Sequence, residues 1–171
     1  MKLLIFFLIF FYFPLAHAEN IATFRIQYIF DNSTAFAEFQ NKLTQYKNKL
    51  LDELKKEENL LISQKNDIEE SKLILSEDEY MNKISEFNKI TESFQSKIDK
   101  YNINIQNNLD QNEQLVLNEI STIVQEIAQN QNLLLIFSDK QYYISSLDID
   151  ISDSIINELN KRNLNLKLLD N

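Results

Sequence analysis

The side chains that do chemistry in most enzymes are nearly missing from this sequence. It contains no Cys and no Gly, and its single His is His17. No disulfide, thiolate metal site or Gly-rich phosphate loop can be built without those residues. His17 falls in a segment expected to be removed, so the processed chain also lacks the Ser-His-Asp and Cys-His arrangements. A pair of carboxylates remains as a chemical option. The acids are spread along helix exteriors, however, which is the pattern of a solvated face. The formal net charge of −9 argues against nucleic acid, whose phosphates need a basic partner. The sequence therefore points away from an enzyme, with no catalytic, cofactor-binding or metal-ligating residues expected.

What the sequence offers instead is spacing. Residues 35–131 contain neither Pro nor Gly. Tyr80, Ile84, Phe87, Thr91, Phe94, Ile98, Tyr101 and Ile105 recur every three or four positions, the period of a coiled-coil seam. Phe36, Leu43 and Leu50, then Leu54, Leu61, Ile68 and Leu75, give a matching stripe on a first helix expected over 35–75. The two form a long antiparallel hairpin, with arms of about 60 Å at 1.5 Å per residue. The register steps by four between Leu50 and Leu54, and shifts again after Ile105 to Leu109, Val116 and Ile123. Such stutters locally unwind a supercoil and predict a bend or soft level there. The poor helix formers Asn102, Asn104, Asn107 and Asn108 cluster at that height. Ser76 with Glu79 three residues on reads as a capping box opening the second helix.

The flanks differ. Residues 1–18 read as a secretory signal peptide: Lys2, an apolar run from Leu3 to Phe13, Pro14, then Ala16-His17-Ala18 as the cleavage pattern. Cleavage would export the chain. Period-two alternation from Ile21 to Phe30 predicts a strand, followed by turn and cap chemistry at Asp31-Asn32-Ser33-Thr34. Leu133–Phe137 and Tyr142–Ser145 predict two more strands, Ser152 an N-cap for a short helix, and Leu164, Leu166 and Leu168 an added edge strand. The fold class is α+β: a long antiparallel helical hairpin, or coiled-coil arm, over 35–131. It stands on a small β-rich oligomerisation body from 19–34 and 132–171. Ala22, Phe24, Ile26, Leu134, Ile136 and Tyr143 are the expected body residues. That core is thin for two long arms, so burial shared between copies is expected.

With these elements in place, the chain resembles the Skp/OmpH family of periplasmic chaperones. Ile21-Ala22-Thr23-Phe24 with Phe30 resembles its first strand, and Leu75-Ser76-Glu77-Asp78-Glu79 its inter-helix turn. The most specific likeness is at the end: Leu135-Ile136-Phe137-Ser138-Asp139-Lys140, a Tyr at 142 or 143, and Asp150-Ile151-Ser152 with Ile155, Ile156, Leu159 and Asn160. The resemblance implies a homotrimer whose β-rich body holds helical arms around a cavity. It further implies that unfolded outer-membrane proteins are held there in the periplasm without ATP. Well-known members carry strongly basic arms, whereas residues 47–105 here hold 10 Lys against 13 Asp and Glu. That balance argues against lipopolysaccharide or a membrane surface as ligand.

Leu54, Leu61, Ile68, Tyr80, Phe87, Phe94 and Tyr101 are assigned by spacing to the seam between the helices. Contact with a client is expected from apolar residues beside the seam near the tip: Leu60, Ile62, Leu73, Ile74 and Met81. An alternative reading is an exported structural or adhesive spacer that binds a folded partner.

Overall fold

The computed structural model describes residues 20–169; the expected signal peptide, 1–18, lies outside the described residues. The fold class is α+β, with a long helical hairpin rising from a base that contains a small sheet. Strand β1 (Ile21–Phe24) is followed by a short helix α1 (Ile26–Asn32), then the two long helices α2 (Thr34–Ser71) and α3 (Glu77–Gln131). Strand β2 (Leu135–Ser138), a single 3-10 turn (Leu147–Ile149) and helix α4 (Ser152–Leu159) complete the base. β1 and β2 pair in parallel, Ile21 opposite Leu135 and Phe24 opposite Ser138, so the whole arm is the crossover between neighbouring strands.

Capping chemistry sets the helix limits. The Ser33 hydroxyl accepts from the Phe36 N–H and starts α2. The Glu79 carboxylate accepts from the Ser76 N–H at 3.1 Å and its hydroxyl at 2.6 Å, starting α3. Those hydrogen bonds from Ser76 hold the Glu79 carboxyl below the usual carboxylate range. Asn132 ends α3 in the left-handed conformation, φ 54°, where Asn is among the residues tolerated best.

Four expectations differ. The strand from Ile21 stops at Phe24, and Ile26 opens a helix instead. The Arg25 N–H donates to Ser152 Oγ and the Ile26 N–H to Asp139 Oδ1, so side chains take the place of a strand partner. Ile29 and Phe30 then turn inward together, which a helix allows and an alternating strand does not. Tyr142–Ser145 forms no strand, because no described segment pairs with it. Ser152 does not cap α4: its hydroxyl receives the Arg25 N–H, and Asp150 Oδ1 accepts from the Ser152 N–H. The tail after Arg162 is not an edge strand either. It climbs along α3, away from the sheet.

The core sits at the base. Ile29, Phe30, Phe36, Phe39 and Leu43 meet Val116, Ile120, Ile123 and Ile127 of α3, closed by Ile155, Ile156 and Leu159 of α4. One polar lock joins the chain ends. Arg25 Nε lies 2.7 Å from Asp150 Oδ2, with its guanidinium 4.0 Å from the centroid of the Tyr28 ring. Burial pushes the Asp150 carboxyl up, but hydrogen bonds from Ser152 and the charge of Arg25 outweigh it and leave it below its ordinary value. The folded carboxyl thus binds its proton less readily than the unfolded one. Its stabilisation is complete above the unfolded value and is lost as pH falls through the folded value. Asp150→Asn should cost about 1–2 kcal/mol at neutral pH. Thermal melts on acidification should fall less steeply for the variant than for the native chain. Parallel acid limbs would remove Asp150 from the acid response.

Candidate functional site

Above the base the arm has only two helices, so each can bury one stripe. Among the described residues between 44 and 103, only Leu50 and Leu61 are buried. Leu54, Ile68, Tyr80, Phe87, Phe94 and Tyr101 are half-buried, and Thr91 is exposed, its hydroxyl turned back to the Phe87 carbonyl. Ile68 and Phe87 border two clefts, so the apolar seam is open to solvent at that level. Polar clasps cross it. Lys97 Nζ sits 2.5 Å from Glu57 Oε2 and 5.7 Å from the Tyr101 ring; the bond to Glu57 raises the Lys97 pKa.

The tip is built by a tight turn. The N–H groups of Ile74 and Leu75 both donate to the Ser71 carbonyl, and the capping box follows at once. That geometry turns Leu75 back towards the seam and pushes Leu73 and Ile74 outward, 93% and 86% exposed. Met81 borders a cleft with Lys72, Leu75 and Tyr80. Leu60 and Ile62 lie on α2 about 14–16 Å below its end, at 1.5 Å per residue. Both are more than half exposed. The five tip candidates do not converge on a pocket; they are spread over the outer end of the arm. Leu51, Ile90 and Ile103 extend this exposed apolar set and were missed from the sequence. Their signal was an apolar side chain off the 3.5-residue period.

At the other end, Ala22 is buried under the sheet, and Phe24, Ile26 and Ile136 are half-buried. Leu134 and Tyr143 are exposed, together with Leu135, Ile144 and Leu147. The base therefore carries a second exposed apolar surface, beside the irregular segment Tyr142–Ser145, with which no described segment pairs.

α3 is continuous through the asparagine cluster, and Asn104 and Asn108 are buried. Asn112, not singled out from the sequence, joins them at the same four-residue spacing. Their amides hold the C-terminal tail, a long-range pairing that helix propensity does not register.

A two-helix arm with exposed apolar residues stands on a small α+β base. The OmpH-like family of outer membrane proteins matches residues 20–159, and the chain belongs to that family. Among solved structures, a Caulobacter crescentus CB15 protein described as OmpH-like and as a candidate outer membrane chaperone shares the fold. Its TM-score is 0.75 at 15% sequence identity, with 83% of this chain and 84% of that one covered. No curated protein matches the sequence.

The contrast between base and arm is measurable. Ile123→Ala, in the fully buried base, should cost about 3–4 kcal/mol. Phe87→Ala, with its ring already half in water, should cost about 1–2 kcal/mol. Urea denaturation of the two variants checks this; equal losses would mean that the arm is packed as tightly as the base.

Proposed function

We propose that this protein is an ATP-independent holding chaperone of the periplasm, which keeps unfolded outer-membrane proteins from aggregating. The observation that carries the reading is the solvent exposure of Leu73 and Ile74 at the end of an arm that has no core around it. Fully exposed large apolar residues on a rigid projection do not stabilise the free chain, and they mark a contact surface. Family membership supports the chaperone class.

Holding a chain needs many weak contacts at high effective concentration. A homotrimer supplies three arms around one cavity. Its subunits would meet through the apolar base, where Leu134, Tyr143, Ile144 and Leu147 face solvent and Tyr142–Ser145 offers unpaired backbone. Clients would lie against the tip residues Leu60, Ile62, Leu73, Ile74 and Met81 and the open seam between the helices. Enclosure keeps the strand edges of one client from pairing with another. The mixed, slightly acidic arm surface makes apolar contact, not charge, the main attraction, and leaves lipopolysaccharide and membrane surfaces aside. Cleavage of residues 1–18 would deliver the chain to the periplasm.

Replacing residues 55–100 by a short glycine–serine turn should leave a folded trimer by light scattering, because the buried base is untouched. That trimer should no longer protect a urea-diluted β-barrel protein from aggregation. Undiminished protection would move the binding surface off the arm. Leu73→Ser with Ile74→Ser should weaken protection without lowering the melting temperature.

A further inference from the structure

The tail after α4 has a backbone recognised in an unusual way. Arg162 begins it, held 3.1 Å from Glu119 and 2.5 Å from Glu126 on α3. From there the chain runs extended along α3 towards the tip. Asn112 pairs with Lys167 twice: its amide donates to the Lys167 carbonyl at 3.0 Å, and its Oδ1 accepts from the Lys167 N–H at 3.0 Å. Asn108 repeats the pattern one turn higher with Leu169, donating to the carbonyl at 3.2 Å and accepting from the N–H at 2.6 Å. Asn104 adds a further donor to the Leu169 carbonyl at 3.4 Å. The Asn108 and Asn112 amides also donate to the carbonyls four residues earlier, which fixes their orientation in advance.

We propose that this ladder of asparagines is a binding site for an extended polypeptide strand with alternating apolar residues, of the kind that builds a membrane β-barrel, and that the tail occupies it as an internal stand-in. The inference rests on the holding-chaperone reading for the identity of the outside strand. The spacing is the first support. Four helical residues rise about 6.0 Å, and two extended residues span about 6.6 Å, so successive asparagines meet every second residue of a strand. The second support is what is read. On the tail, the asparagines bond main-chain N–H and C=O groups, which every non-proline residue carries. The third is the side-chain pattern. Leu164, Leu166 and Leu168 lie half-buried against the base core, while Asn163, Asn165, Lys167 and Leu169 face out. Alternation of this type, one apolar face along a strand, is the pattern of a membrane-barrel strand. The track also continues past Leu169, as an open cleft bordered by Tyr46, Lys97, Tyr101, Ile103 and Asn107. The family match ends at residue 159, before the tail begins.

The test uses the full-length chain with Leu164→Ser, Leu166→Ser and Leu168→Ser, which keeps the backbone and releases the tail. Two labelled ten-residue peptides of one composition serve as probes, one alternating leucine with polar residues and one with its leucines in a run. The variant should bind the alternating peptide at least tenfold more tightly than the native chain does, and tenfold more tightly than it binds the run. Adding Asn108→Ala and Asn112→Ala should abolish that tighter binding. Equal binding of both peptides, or binding indifferent to the asparagines, overturns the proposal. If the serine variant does not fold, the native chain answers by hydrogen exchange. An excess of the alternating peptide should speed exchange at the Lys167 and Leu169 amides, and no change overturns the proposal. Loss of aggregation protection with strand binding intact would count against the chaperone reading alone. Protection without strand binding would count against the groove alone.

Discussion

Two helices side by side can hide only one stripe each, and the rest of this molecule is arranged around that limit. Every large buried cluster lies where a third or fourth element covers α2 and α3. Over the outer part of the hairpin nothing covers them, and among the described residues burial there shrinks to Leu50 and Leu61. The arm is therefore held as a lever is held, from one end. Its own seam is a line of half-buried aromatic rings. The same geometry that limits stability leaves a surface available.

The base meets the opposite demand. Residues from both ends of the chain must be fastened together while about a hundred residues of arm separate them. The two arginines of the described chain are both spent on this: Arg25 closes onto Asp150, and Arg162 onto Glu119 and Glu126. Arg suits such sites because its fork can bond a carboxylate and lie on a ring at once. Asn160 adds a neutral clasp, accepting from the Thr34 N–H and hydroxyl at the start of α2. These contacts fix the angle at which the arm leaves the sheet.

Buried asparagines on a coiled-coil stripe would be destabilising if their amides were left dry and unpaired. Here each is paired, and no buried side-chain nitrogen or oxygen among the described residues lacks a partner. The change of seam on α3 gains its meaning from this. Above the asparagines α3 packs on α2 alone; below them it packs on α2 and on the tail. What reads in one dimension as a stutter is, in three, the level at which a further chain joins.

The long helices, the capping box at Ser76, a cap somewhere within Asp31–Thr34 and the apolar tip were legible in the sequence, because each depends on residues within a turn or two of one another. Period and capping are local, and nothing distant overrules them along a helix rich in good formers. The short elements were not legible in the same way. Ile26 became helical because the Arg25 and Ile26 N–H groups find Ser152 and Asp139, more than a hundred residues away, and Tyr142–Ser145 forms no strand because no described segment pairs with it. The tail is the clearest case: its alternating leucines are a strand pattern, but which surface receives them is set by where the fold places an amide ladder. Sequence alone determined which segments are rods and which residues their ends expose. Only the tertiary structure decided what the exposed backbone meets, since hydrogen bonds between distant segments carry no local signature.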